Sequence, residues 1–373
     1  MRIVYILLSS TFGMHQYTAD LAQTAVRAGH EVHLATSSRY AADRYGPGVC
    51  VHTPVSTGGT GFGRAGLQWR QLCTAMRFVL DLQPDIVHIT GVHLWNLPLL
   101  WRLRSAGIRT LHTLHDLDPH PGVQHGSLIR LWNRLVIRSA DHLLVHGEVY
   151  RRRLLTAGRA PESVTALPLL HLFGGYRNVE EWEHAPPKPK FGNWALFFGR
   201  QEAYKGIHEL LRAGRSIAVQ RPHPWLVIAG EGGAPVADAE TPPGVEWRSR
   251  RIDDDEGADL FQRCGLVVLP YTGATQSALI AAAYAFAKPV LVSDSGALPE
   301  YVTPGETGWV VPAGNVQALA GSLHSALVDP DRLAHMGRQG RRWYVEQRRR
   351  AAGMMDNMLY QTAGHSRRYQ TAN

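Results

Sequence analysis

The sequence predicts an α/β protein of two doubly wound, Rossmann-like domains, each a parallel sheet with helices on both faces, and three observations predict it. A chain of 373 residues is long for one hydrophobic core, because single cores stop growing at roughly 250–300 residues. Short apolar, β-rich runs alternate with helical patterns along the whole chain, which is the rhythm of parallel strands joined by crossover helices. The stretch EHAPPKPK, Glu183 to Lys190, holds three prolines that disfavour helix and sheet interior alike and so reads as a linker between two series of strands. The expected boundaries are 1–184 for the first domain, 191–342 for the second, and 343–363 for a final helix packing back on the first.

The elements follow in order. The opening MRIVYILLSS is too short for a membrane span and lacks the small-residue cleavage pattern of a secretory signal, so Arg2–Leu8 reads as a buried strand. Next, SSTFGMHQYTADLAQTAVRAGHEVHLAT places Gly13 in a turn leading into a helix and then into the strand Glu31–Ser37. Val49–Pro54, Asp85–Thr90, Arg109–Asp116, His142–Gly147 and Val164–Leu170 complete the first series. Within it, VHLWNLPLLW, Val92 to Trp101, reads either as a buried helix or as an apolar loop open to a lipid-linked acceptor. The second series is Trp194–Gly199, Trp225–Gly230, Val245–Ser249, Leu266–Tyr271, Pro289–Asp294 and Gly308–Pro312. A last helical pattern, Val316 to Tyr360, breaks near Asp329-Pro330, and its end carries Trp343, Met354, Met355 and Leu359, which need a surface to cover. Only the tail from Gly364 reads as loose.

Composition excludes several classes. With 45% hydrophobic and 19% charged residues the chain is an ordinary globular protein, not a disordered one. Cys50, Cys73 and Cys264 lie far apart, without metal-site spacing and without an even number to bridge, which fits a reducing cytoplasm. The net charge of +8 comes from 35 arginines and 4 lysines spread along the chain. No nucleic-acid-binding motif accompanies it, so the field serves anionic small molecules or the inner face of a membrane.

Function should sit at strand ends, where open α/β sheets bind ligands. One motif there is a decoy. GFGRAG, Gly61 to Gly66, matches the dinucleotide pattern, but STGGT separates it from the preceding strand and Asp85 precedes the next strand rather than ending it. More informative is FFGRQEAYKGIHELL, where Gly199 and Arg200 end a strand and Lys205-Gly206 opens a helix. Paired cations on short tethers can neutralise a diphosphate as it leaves. Gly13 near a helix start, IAGEGG with Gly230 and Glu231, and the two strand ends of LPYTGATQSALIAAAYAFAKPVLVSDSGALPE supply the other junctions.

The ordered set GHEV, GRQEAYKG, AGEGG, FAKPVLVSDSGALPE and GETGWVVPAGN resembles the retaining glycosyltransferases of family 4. The resemblance implies the GT-B fold, two Rossmann-like domains facing each other across a cleft, with the nucleotide-sugar donor on the second and the acceptor on the first. It implies a UDP- or GDP-linked sugar as co-substrate, no metal or other cofactor, and a hydroxyl acceptor on a small molecule, glycan or lipid-linked sugar. Arg200 and Lys205 match the diphosphate pair, Gly13 the loop approaching the leaving phosphate, and His115 a histidine near the transferred sugar. Asp116, His120, His146 and Glu148 are second-rank candidates for the acceptor side, and Glu148 reads equally well as a helix-start charge.

One departure stands out. The family's two glutamates, with seven residues between them, fall here on Ala274 and Ala282, which cannot accept hydrogen bonds through their side chains. The turn reads Ala274-Thr275-Gln276-Ser277 instead, similar to a bacterial branch with ATQS, HD-x-x-PHPG and VHGE segments. Thr275, Gln276, Ser277 and their amides are the expected donor contacts, with Glu300 in place of the ribose carboxylate. Two other readings stay open: a non-catalytic GT-B partner or scaffold, and a nucleotide-sugar epimerase.

Overall fold

The computed structural model describes residues 1–56, 58–61, 68–117, 126–184, 192–218, 224–232 and 241–370. The expected linker lies largely outside them, as do His120 and most of GFGRAG. The chain divides into two compact units, Met1–Arg177 with Arg349–Asn373, and Asn178–Arg348.

The first unit holds strands β1 (Arg2–Leu7), β2 (Glu31–Ser37), β3 (Val49–Val55), β4 (Ile86–Ile89), β5 (Arg109–Leu114), β6 (His142–Val145) and β7 (Val164–Ala166). They form one parallel sheet in the order β3-β2-β1-β4-β5-β6-β7. Helices α1 (Phe12–Arg27), α2 (Trp69–Asp81), α3 (Asn96–Ser105), α4 (Gly126–Ser139), α5 (Glu148–Thr156) and α6 (Tyr176–His184) follow the strands. Residues Ile3 to Leu7 are all buried. Such an unbroken run marks a central strand covered on both faces, so alternation is lost. Most of α6 belongs to the second unit, so the division falls seven residues before the predicted one.

The second unit repeats the plan with β8 (Ala195–Phe198), β9 (Leu226–Ala229), β10 (Val245–Arg248), β11 (Leu266–Leu269), β12 (Val290–Ser293) and β13 (Gly308–Val311). Their order is β10-β9-β8-β11-β12-β13, again all parallel. Its helices are α7 (Ile207–Ala218), α8 (Asp254–Arg263), α9 (Leu279–Ala285) and α10 (Val316–Leu327). Strand order reverses beside the first strand of each sheet, leaving a crevice at the carboxyl ends of β1 and β4 and another at those of β8 and β11.

The last helix, α11 (Pro330–Gln370), begins where Asp329 accepts the Arg332 amide at 2.9 Å and Pro330 takes the first position, which needs no donor. It contributes Met355, Met358 and Leu359 to the core of the first unit, with Tyr5, Ala22 and Leu34. The tail expected to be loose is helical as far as Gln370, because no proline follows Pro330 to stop it.

Candidate functional site

Several ladders end one to four residues earlier than the sequence suggests, and candidate groups occupy the chain just beyond them. His115, His146, Gly199 and Gly230 each follow the last paired strand residue closely. The Gly199 amide still donates to the Ala229 carbonyl at 2.8 Å and the Gly230 amide to the Arg248 carbonyl at 3.0 Å, so both glycines are held against the neighbouring strand ends as the chain turns away.

In the second unit, a tight 3₁₀ turn over Ala203–Lys205 joins β8 to α7. Gly206 closes it with a left-handed φ of 69°, and a Cβ there would lie 1.9 Å from the Pro270 carbonyl oxygen, so only glycine fits. The Thr272 amide donates to the Tyr204 carbonyl at 2.8 Å. The turn after β8 is thereby fastened to the chain leaving β11.

Lys205 is folded inward by this turn. It is 9% exposed, and its Nζ stands 5.8 Å from the Tyr271 ring centroid and 3.3 Å from where a Gly199 Cβ would be. Burial pushes its pKa down to about 8, with Arg200 adding to the fall and Glu202 opposing it. Arg200 is exposed and meets the Glu202 carboxylate at 2.9 Å. A buried cation and an exposed one thus flank Gly199, whose lack of a side chain leaves the approach between them open.

Two residues the sequence reading passed over hold these loops. Gln201 is buried, donates to the Gly230 carbonyl at 3.0 Å and to Ser249 Oγ at 3.1 Å, while its own amide donates to the Glu231 carbonyl at 2.7 Å. It ties the ends of β8, β9 and β10 together. A glutamine beside a strand-end Gly-Arg pair was the only available signal. Gly230, at φ 145°, would place a Cβ 2.2 Å from the Gly199 carbonyl oxygen, so glycine lets the two loops touch. Glu231 beside it is exposed.

The ATQS turn is fastened by Ser295, the second overlooked residue. Its Oγ accepts the Ala274 amide at 2.8 Å, and the Ala297 amide donates to the Thr275 carbonyl at 2.9 Å. The Ala274 amide is therefore committed to the protein. Ser277 Oγ accepts from the Leu279 amide at 3.3 Å. Gln276 differs: its Oε1 is buried and meets no donor among the described residues. A buried acceptor without a partner is costly unless a ligand supplies the donor. Glu300 is exposed on the 3₁₀ turn Leu298–Tyr301, three residues past the Ala297 contact. Ala282 is 1% exposed within α9, closed off by the core.

In the first unit, Gly13 lies inside the first turn of α1 rather than before the helix, with Thr11 at its N-cap. No described atom lies within 4 Å of where its Cβ would stand, and its φ is not left-handed. Nothing in the described fold demands glycine at this position.

In the same unit, Tyr17 gathers histidines from the chain just beyond β5, β6 and β7. Its ring meets those of His115, His146 and His171 edge-on at 4.8, 5.1 and 5.8 Å, and its hydroxyl bonds Thr113 Oγ1 at 3.0 Å. His115 Nε2 lies 2.8 Å from the Thr90 carbonyl, so it must donate there, which makes Nδ1 a bare acceptor. That Nδ1 is buried and has no donor among the described residues. Burial lowers the His115 and His146 pKa values, against the Thr90 and Leu167 carbonyls that raise them, and favours neutral rings. The Asp116 carbonyl accepts from Asn133 at 3.0 Å. Glu148 opens α5, exposed and paired with Arg151 at 3.0 Å, as a helix-start charge would be. The segment Val92–Trp101 leads into α3 and is largely packed, although Trp101 is exposed. Among the described residues no cluster of three or more His, Cys, Asp or Glu could hold a metal ion, and no helix is long and apolar enough to cross a membrane.

The Glycosyl transferase 4-like domain family matches residues 12–169, and the Glycosyl transferases group 1 family matches residues 178–343. One match falls on each unit, and together they span most of the chain. The chain belongs to the GT-B glycosyltransferases. A D-inositol 3-phosphate glycosyltransferase of Gordonia bronchialis is 26% identical, over 88% of this chain and 79% of the relative. Among solved structures, sucrose-phosphate synthase from Thermosynechococcus elongatus superposes with a TM-score of 0.70 at 20% identity, covering 97% of this chain and 98% of that one. The Anabaena protein HepE, solved with UDP and glucose, superposes with a TM-score of 0.68 at 16% identity, covering 96% and 99%.

Proposed function

We propose that this glycosyltransferase moves a sugar from a UDP- or GDP-linked donor to a hydroxyl acceptor with retention of anomeric configuration, and without a metal. The observation that carries the reading is the pair of cations about Gly199, with Lys205 desolvated by the fold and Arg200 exposed beside it and paired with Glu202. A buried ammonium with no carboxylate ion pair among the described residues is unfavourable alone and is relieved by a polyanion. HepE, of the same fold, takes UDP.

In the proposed reaction the bond from the anomeric carbon to the donor phosphate breaks and a bond to the acceptor oxygen forms on the same face. The acceptor's proton passes to the departing phosphate oxygen. Arg200 and Lys205 stabilise the charge that gathers on that phosphate. Gln276 Oε1 accepts from a donor hydroxyl, with Thr275, Ser277, Glu231 and Glu300 lining the same strand ends, and Gly230 admits the nucleotide close to the backbone. His115, through neutral Nδ1, accepts from a sugar hydroxyl, and Gly13 leaves room for the phosphate. Asp116 and His146 lie on the acceptor side.

Thermal shift and calorimetry with UDP, GDP and their sugars test the reading, since bound donor stabilises the fold by mass action. Donor binding with product formed only when an acceptor is present supports transfer. Donor converted without any acceptor indicates an epimerase, and no binding across the donors indicates a non-catalytic protein.

A further inference from the structure

The outer face of α3 and α4 exposes apolar side chains among arginines. Trp101 is 55% exposed, Leu128 47% and Leu131 53%. On α4 the buried side is Trp132, Asn133 and Val136. At about 100° per residue, the opposite side carries Leu131, Arg134 and Arg138. The Trp101 indole donates to Ser139 Oγ at 3.1 Å, which sets that exposed ring against the edge of α4. The two helices hold five exposed arginines, Arg102, Arg104, Arg130, Arg134 and Arg138, and no aspartate or glutamate.

A face that merely met water would mix charges of both signs and keep leucine and tryptophan off its crest. Here leucines interleave with cations of one sign. This is the composition of a surface helix that lies in a lipid interface: leucines enter the acyl boundary, tryptophan sits at headgroup level and arginines bind lipid phosphates. We propose that the α3–α4 face docks this protein on an anionic lipid bilayer. Docking is independent of the sugar-transfer reading, since none of the residues given a role in the proposed reaction belongs to it.

Vesicle flotation with the full chain tests the proposal, using equimolar phosphatidylglycerol and phosphatidylcholine against phosphatidylcholine alone. The protein should float with the anionic vesicles only, and raised salt should weaken the association. The double variant Arg134→Glu with Arg138→Glu should lose on the order of tenfold or more in partitioning, while the corresponding lysine pair keeps it. Leu128→Gln with Leu131→Gln should weaken binding several-fold, because apolar insertion contributes beside charge. All four positions are exposed, so melting temperatures should hold and report folding. Failure to float, or flotation unchanged by the glutamate pair, overturns the proposal. It is also overturned if binding survives the glutamine pair and a DNA duplex displaces it, which would mark a polyanion surface. A dimer in sedimentation that the glutamine pair dissolves would assign the face to a second copy and equally overturn it.

Discussion

Replacing Lys205 by methionine should make the protein more stable and a poorer donor binder at once. Desolvation lowers the Lys205 pKa from 10.5 to about 8. The unfolded chain therefore holds this proton more tightly than the folded one. At pH 7 both states are protonated, and the difference of about 2.5 pH units corresponds to roughly 3 kcal/mol of folded-state penalty. The penalty fades as pH rises from about 8 toward 10.5, where the folded protein has released the proton and the unfolded chain still holds it. Methionine fills a similar volume without charge, so Lys205→Met should raise the melting temperature at pH 7. At ~2–4 °C per kcal/mol for a unit of this size, the rise is several degrees, and it should shrink toward pH 10. Donor binding runs the other way. A charge-assisted contact to phosphate contributes about 1.5–3 kcal/mol, so UDP affinity should fall by roughly 10- to 150-fold in the variant. Wild-type affinity should itself decline above about pH 8, and calorimetry in buffers of different ionisation enthalpy should detect proton uptake on binding. Differential scanning fluorimetry at several pH values with and without UDP reads both effects. A methionine variant that melts lower than wild type yet binds UDP as tightly would refute the reasoning.

Gln276→Leu should leave stability unchanged or improved, since it removes a buried acceptor that has no partner among the described residues, while donor affinity falls about tenfold; fluorimetry and calorimetry together check this. Gly13→Ala should fold normally and gain up to about 0.5–1 kcal/mol in helix stability, because its Cβ enters open space. Turnover should nevertheless drop, and unchanged steady-state rates would remove Gly13 from the site. Because burial keeps His115 neutral, turnover should show no titration near pH 6.5, whereas a fall through that range would place a solvent-like histidine in the reaction.

Much of the fold was legible because each strand carries its own local signal. Val267, Val268 and Leu269 are buried between neighbouring strands and read as an unbroken apolar run. The glycines at 199, 206 and 230 announce the tight junctions in the same local way. Strand ends were overrun, as at Val164–Ala166, because apolar residues continue past the last ladder bond into the core: Leu167, Leu169 and Leu170 are buried outside the strand.

What the sequence by itself determined is the alternation of strand and helix, the division into two α/β parts, and the strand ends where Arg200, Lys205, His115 and the ATQS turn would lie. Only tertiary structure decided that Tyr17 gathers His115, His146 and His171, that Ser295 holds Ala274, and that Gln276 keeps an acceptor unpaired among the described residues. The physical reason is range. Hydrophobic period and glycine placement act within a few residues, while these contacts join residues up to 154 positions apart, through a strand order that no local pattern encodes.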